Sequence, residues 1–121
     1  DDFEKMQADL ESMGALVIGS PVWYGHVDTR TFNFINRTYA YNKYYSEENA
    51  KKWPKAKAVN VLTYGQEDEN AYNNILDWYK MIWDHYGMTE SINLVAAGTG
   101  DNPVEKRKDL IKRAKEIGRS L

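Results

Sequence analysis

The sequence predicts an α/β domain built on a parallel sheet, and three observations predict it. Ala15-Leu16-Val17-Ile18-Gly19 is a continuous apolar run, as in a strand covered by helices on both faces. Ala58-Val59-Asn60-Val61-Leu62-Thr63 and Ile92-Asn93-Leu94-Val95-Ala96-Ala97 are two further strand-length segments. Segments with apolar residues three or four apart lie between and around them. Strands alternating with helices in this way imply a parallel sheet with right-handed crossovers. The expected order is α-β-α-β-α-β-α.

Taken in order, Phe3, Met6, Leu10 and Met13 recur at helical spacing, and Gly14 stops that helix. The first strand, Ala15 to Gly19, follows. Asp28 or Thr29 caps a helix running to about Arg37, with Phe32 and Ile35 on its inner face. Residues 39 to 56, tyrosine-rich and containing Trp53-Pro54, read as a long loop with a helical turn near Ser46 to Lys51. After the second strand comes a loop, Tyr64 to Glu69. A long helix from about Asn70 to Tyr86 carries Ala71, Ile75, Trp78, Tyr79 and Ile82 inward. Gly87 ends it in a left-handed conformation. After the third strand, Gly98 to Pro103 is a turn, with Asn102 as N-cap and Pro103 at the first helical position. The last helix carries Leu110, Ile111, Ala114 and Ile117 inward and a basic surface outward. Three strands in sequential order would leave the apolar first strand at an exposed edge, which invites pairing.

The chain of 121 residues has room for one domain with one core. With no cysteine, it can hold no disulfide, thiol nucleophile or cysteine-ligated cluster. A formal net charge of -2 sets up no field for nucleic acid or an anionic membrane. No apolar run approaches the roughly 20 residues of a membrane span. The opening Asp1-Asp2-Phe3-Glu4 lacks the basic start of a signal peptide, so a cytoplasmic location is expected. His26 and His85 are too far apart to form a metal site, and no metal is expected.

In open parallel sheets, ligands bind at the carboxyl ends of the strands. Three loops lie there: Ser20 to Val27, Tyr64 to Asp68 and Gly98 to Asn102. In the first, Ser20-Pro21 leaves the strand in an extended path, Trp23 and Tyr24 stand at the tip, and Gly25 permits a tight turn. Such a loop suits a flat aromatic ligand, with rings to stack on it and backbone groups for its polar edge. The same aromatics could instead pack on a neighbouring helix or a partner subunit, and residue chemistry leaves both open. Glu67-Asp68-Glu69 reads as an acidic run complementing a helix N-terminus, and His85 as a last-turn partner of a helix dipole. Lys106, Arg107, Lys108, Lys112, Arg113, Lys115 and Arg119 read as a solvated face.

Residues 15 to 37, ALVIGSPVWYGHVDTRTFNFINR, resemble the middle of the flavodoxin-like NAD(P)H-dependent FMN reductase superfamily, which includes the iron–sulfur flavoproteins. Gly19, Ser20, Pro21, Val22, Tyr24 and Gly25 match its G-S-P-V-Y-(aromatic)-G motif, with Trp23 in an aromatic position. Phe34, Ile35, Asn36 and Arg37 match the ending of the helix that follows. Thr63-Tyr64-Gly65-Gln66-Glu67 and Gly87-Met88 continue the resemblance more weakly. It implies a flavodoxin-like three-layer α/β/α domain and an FMN cofactor. The isoalloxazine ring would meet Ser20, Pro21, Val22, Trp23, Tyr24 and Gly25, with His26 adjacent. Thr63, Tyr64, Gly65 and Gln66 would approach it from the other side.

The departures from the family are equally specific. Its first strand, its phosphate loop and the following helix and strand have no counterpart here, nor does its cysteine cluster. Gly98-Thr99-Gly100 is the only other Gly-rich turn, and it stands before the last helix. The expectation is a fold incomplete at its N-terminus with three strands present. The resemblance implies an FMN-binding NAD(P)H-dependent oxidoreductase of the flavin or quinone reductase type. NAD(P)H would be the co-substrate and a small molecule or protein the electron acceptor, with no catalytic side chain required. A truncated module without flavin that acts through oligomerisation, and an FMN electron carrier, are the alternatives. A homodimer or higher homo-oligomer is expected.

Overall fold

A computed structural model gives the architecture and describes residues 2–39 and 53–121. The elements are α1 (Asp2–Ser12), β1 (Ala15–Trp23), β2 (His26–Val27), α2 (Thr29–Thr38), β3 (Lys57–Thr63), α3 (Asn73–His85), β4 (Glu90–Ala96), a 3-10 turn (Val104–Lys106) and α4 (Lys108–Ser120). The sheet order is β2-β1-β3-β4. β1, β3 and β4 are parallel, with Ile18 opposite Asn60 and Asn60 opposite Asn93. The fold is therefore α/β with an open, mostly parallel sheet and, among the described residues, four α-helices, a partial flavodoxin-like arrangement.

Three expectations change here. The sheet has four strands among the described residues, not three, because the chain after β1 turns back as β2, antiparallel to the end of β1. β1 runs on through Ser20 and Pro21 to Trp23 instead of ending at Gly19. Nor is β1 covered on both faces. Side chains alternate across a strand, and while Ile18, Ser20 and Val22 are buried, Val17 on the other face stays 59% exposed. α4 lies over that face only at β4 and β3, where Leu94 and Ala96 pack beneath Leu110, flanked by Val61, Val104 and Ile117. The edge of β1 over residues 15 to 21 meets no strand among the described residues.

The main core sits on the opposite face. Ile18, Val22 and Leu62 of the sheet pack with Ile35 of α2 and with Ile75, Tyr79 and Trp83 of α3. Its centre is polar. The side chain of Asn60, fully buried, accepts from Trp83 Nε1 at 2.8 Å and donates to Asn93 Oδ1 at 2.8 Å and Ser91 Oγ at 3.0 Å. One side chain thus ties α3, β3 and β4 together with its bonds satisfied, which is the condition for burying it. Just past the C-terminal end of α3, Tyr86 Oη donates to Thr38 Oγ1, and Trp53 stacks on Tyr86 at 4.2 Å.

The helix ends depart from the reading in ways with local causes. α3 starts at Asn73, not Asn70, because residues 68 to 72 form turns in which Ala71 N donates to Asp68 O and Asn73 N to Asn70 O. Its first turn holds no acidic residue, so Glu67 to Glu69 do not complement its dipole. α4 starts at Lys108, since Pro103 is extended and a 3-10 turn intervenes, making Arg107 and not Asn102 the N-cap position. Phe32 and Ala114, read as inward, lie at exposed rims. Gly87 (φ 74°) does terminate α3 in the left-handed region. The helical turn expected near Ser46 to Lys51 lies outside the described residues.

Candidate functional site

The carboxyl ends of β1, β3 and β4 bring the three loops to one end of the sheet. The first loop is a hairpin. Val22 pairs with Val27 and Trp23 with His26, leaving Tyr24 and Gly25 as a two-residue turn. Both have positive φ, 51° and 78°, the geometry whose twist suits a tight hairpin. Gly25 adopts it freely, whereas a tyrosine there is strained. Packing does not hold it in place, because Tyr24 is fully exposed, at 109%. Trp23 is a strand residue and not the loop tip, but it too is 64% exposed. The hairpin therefore presents two large aromatics to solvent, one of them on a strained backbone.

The base of the hairpin is rigid. Ser20, buried, accepts from Asp28 N at 2.8 Å, and its hydroxyl faces Asp28 Oδ2 at 3.1 Å and Pro21 O at 2.7 Å. Asp28 caps α2, accepting from Arg30 N at 2.7 Å and Thr31 N at 2.9 Å, with Thr31 Oγ1 donating to Oδ2. The Thr31 amide, with the Ser20 and Thr31 hydroxyls and the Arg30 amide after it, holds the Asp28 carboxyl below its ordinary pKa against the cost of burial. This capping role was legible from the sequence; the bond to Ser20, eight residues away, was not.

His26 joins an aromatic cluster beside the hairpin. Its ring meets Phe32 edge-on at 5.1 Å and Trp78 at 5.9 Å, and Phe32 and Trp78 stack at 6.3 Å. Pro21 lies opposite Thr63, and Thr63 opposite Ala96, so the predicted loop residues start from adjacent rungs of the sheet. Tyr64 turns its ring inward, almost fully buried, and its hydroxyl donates to Glu69 O at 3.0 Å. Burial, then the nearby Asp68 and Glu69 charges, raise its pKa. Gly65 and Gln66 are exposed at the top of this loop.

Tyr72 connects the first two loops. Its ring meets Tyr64 edge-on at 4.8 Å, and a Cβ built on Gly25 would lie 3.9 Å from its Cε1. The sequence reading merged Tyr72 into a helix, although its place just after a turn-rich segment marked it as a loop residue. The third loop is bonded to the second: Gly98 N donates to Gln66 O at 2.7 Å, and both Thr99 N and Thr99 Oγ1 donate to Tyr64 O at 3.1 Å. Arg107, read as part of a solvated face, is instead half-buried and donates to Ala97 O at 2.8 Å. Ser20 to His26 and Thr63 to Gln66 thus share one end of the sheet, joined through Tyr72. Among the described residues no group of three or more His, Asp or Glu could hold a metal ion, and no helix is long and apolar enough to cross a membrane.

No protein-family model matches the chain, and no curated protein does. Solved structures match it strongly. One is described as a thermophilic tryptophan halogenase (Th-Hal) from Streptomycin violaceusniger, with a TM-score of 0.78 over 96% of this chain and 72% of that one, at 14% identity. Another is an NADPH-quinone reductase from P. pentosaceus, with a TM-score of 0.68 over 90% of this chain and 70% of that one, at 12% identity. At such identities the likeness establishes the fold. The chain has a partial flavodoxin-like α/β fold, and a fold by itself fixes no activity.

Proposed function

We propose that this domain binds FMN and works as an NAD(P)H-dependent oxidoreductase of the flavin or quinone reductase type. The observation that carries the reading is the hairpin: Tyr24 is held fully exposed at φ 51°, next to exposed Trp23, at the ligand-binding end of an α/β sheet. Strain maintained where packing gains nothing points to a function for the side chain. The NADPH-quinone reductase of similar fold agrees with this chemistry.

The described residues offer groups that the ring end of the cofactor would use. Trp23 and Tyr24 offer faces for stacking, with the backbone of Tyr24, Gly25 and His26 at its polar edge. Thr63, Gly65 and Gln66 would flank the other side, and Tyr72 stands between the loops, beside Gly25 and Tyr64. No phosphate-binding loop stands among the described residues, so these groups would serve the ring and not the phosphate. When bound, FMN supplies the hydride and electron chemistry. The chain would position it through the hairpin whose base the Ser20–Asp28–Thr31 bonds hold.

FMN-loaded protein is expected to oxidise NADPH when a quinone such as menadione is present. NADPH left unoxidised despite bound FMN would make the domain an electron carrier instead. One observation favours a second reading, a module acting by association without flavin: the open edge of β1 and the exposed Val17 beside it. The same surface supports the homodimer or higher homo-oligomer we propose for the protein in either case.

A further inference from the structure

We propose that Arg107 is a positioning residue: acting through the third loop, it holds the second loop, Tyr64 to Glu69, in the shape that would face the cofactor. Arg107 stands at the N-cap position of α4, where its side chain makes no capping bond. Arginine is not a capping residue, and a cation at a helix N-terminus opposes the helix dipole. Helix capping therefore does not account for it. The side chain instead turns inward and is only 13% exposed, with Nη1 donating to Ala97 O at 2.8 Å. Nη2 lies 4.0 Å from Glu69 Oε1. One guanidinium thus meets the residue before the third loop and the end of the second.

The bonds between the two loops begin beside Ala97. Tyr64 N donates to Ala96 O at 3.1 Å, Gly98 N to Gln66 O at 2.7 Å, and Thr99 N and Oγ1 both to Tyr64 O at 3.1 Å. The loops lie close together: a Cβ built on Gly98 would stand 3.8 Å from Glu67 Cα. Gly65 and Gln66 are exposed, so packing does not set the path of their backbone. The third loop sets it, by holding the Tyr64 and Gln66 carbonyls, and Arg107 fixes the third loop at its start. The Glu69 contact is long and that carboxylate is 68% exposed, so it adds little. The charged donor on the carbonyl of buried Ala97 carries the effect. The inference rests on the flavin reading only for what the second loop faces.

Hydrogen exchange tests it, with Arg107→Met keeping the apolar stem and removing the donors. Exchange at the Gly98 and Thr99 amides should quicken several-fold, while that at Val61, inside β3, stays as it was. Glu69→Gln should leave all three rates nearly unchanged. An R107M protein whose Gly98 and Thr99 amides exchange as before overturns the proposal, and so does an E69Q protein that matches R107M. The unaltered chain gives an answer that needs no variant to fold: both amides should be protected, and exchange there at the rate of an unstructured chain overturns the proposal. With FMN added, R107M should bind several-fold more weakly than the unaltered protein, with its flavin absorbance moved towards that of free FMN. An R107M complex of unchanged affinity and spectrum overturns the positioning role. If the unaltered chain binds no FMN, the flavin reading fails by itself, and the exchange rates still decide whether Arg107 holds the second loop.

Discussion

Replacing Asp28 with alanine removes the acceptor for two backbone amides, Arg30 N at 2.7 Å and Thr31 N at 2.9 Å, together with the Ser20 and Thr31 hydroxyl bonds to Oδ2. Loss of an N-cap alone costs about 1 kcal/mol, and loss of bonds to a charged acceptor raises the total to about 2 kcal/mol. With a urea slope of about 2 kcal/mol/M for a domain of this size, the unfolding midpoint should fall by about 1 M. Asp28→Asn is the control. Asparagine caps about as well as aspartate, so it should lose less than half as much. The pH dependence has a fixed sign. The folded pKa of Asp28 is lowered, so its contribution is complete above the unfolded value of about 3.9 and is lost as pH falls through the folded one. The gap between the unaltered protein and D28N should therefore close only in acid. The assay is urea unfolding followed by tryptophan fluorescence at neutral pH and at about pH 3. If D28A unfolds within about 0.2 M of the unaltered protein, or D28N is as damaging as D28A, the cap does not organise the hairpin base as described.

Three further outcomes follow from the same structure. Asn60→Leu leaves the buried Trp83 N–H without an acceptor and should cost about 2 kcal/mol in thermal unfolding; in a Trp83→Phe background the same change should cost clearly less, because the orphaned group is already gone. Tyr24→Asn suits the left-handed turn better and should stabilise the fold by about 0.5 kcal/mol while weakening FMN binding several-fold, as read by calorimetry and flavin fluorescence. A Tyr24→Asn protein that binds FMN as before would remove Tyr24 from the site. Gly25→Val places a β-branched residue at φ 78° and should destabilise the hairpin by more than 1 kcal/mol, visible in urea unfolding.

Much of the fold was legible because the signals were local. Ala58 to Thr63 and Ile92 to Ala97 agree with β3 and β4 to within two residues, and Gly87 and the Asp28 cap act as their chemistry dictates. The hairpin was hidden because its turn is Tyr-Gly rather than Asn-Gly; a tyrosine at positive φ carries no sequence signal. The apolar run at Ala15 to Gly19 was read as doubly covered, but periodicity cannot say whether a helix is present to cover Val17. The start of α4 was misplaced because Pro103 resembles a first helical residue, whereas it is extended and a 3-10 turn at Val104–Lys106 stands before the helix at Lys108. At the site, the first two loops were found by their position at strand ends. Tyr72 and the Ser20–Asp28 bond were missed because both depend on side-chain contacts made across a turn, which helix and strand periodicities do not encode.

Adding FMN to the purified protein and following the flavin's visible absorbance and fluorescence tests the central claim most directly. The account predicts saturable binding at a ratio of one FMN per chain, with quenching by Trp23 and Tyr24 that weakens when either is replaced by alanine. Flavin spectra that stay those of free FMN at saturating protein would contradict it.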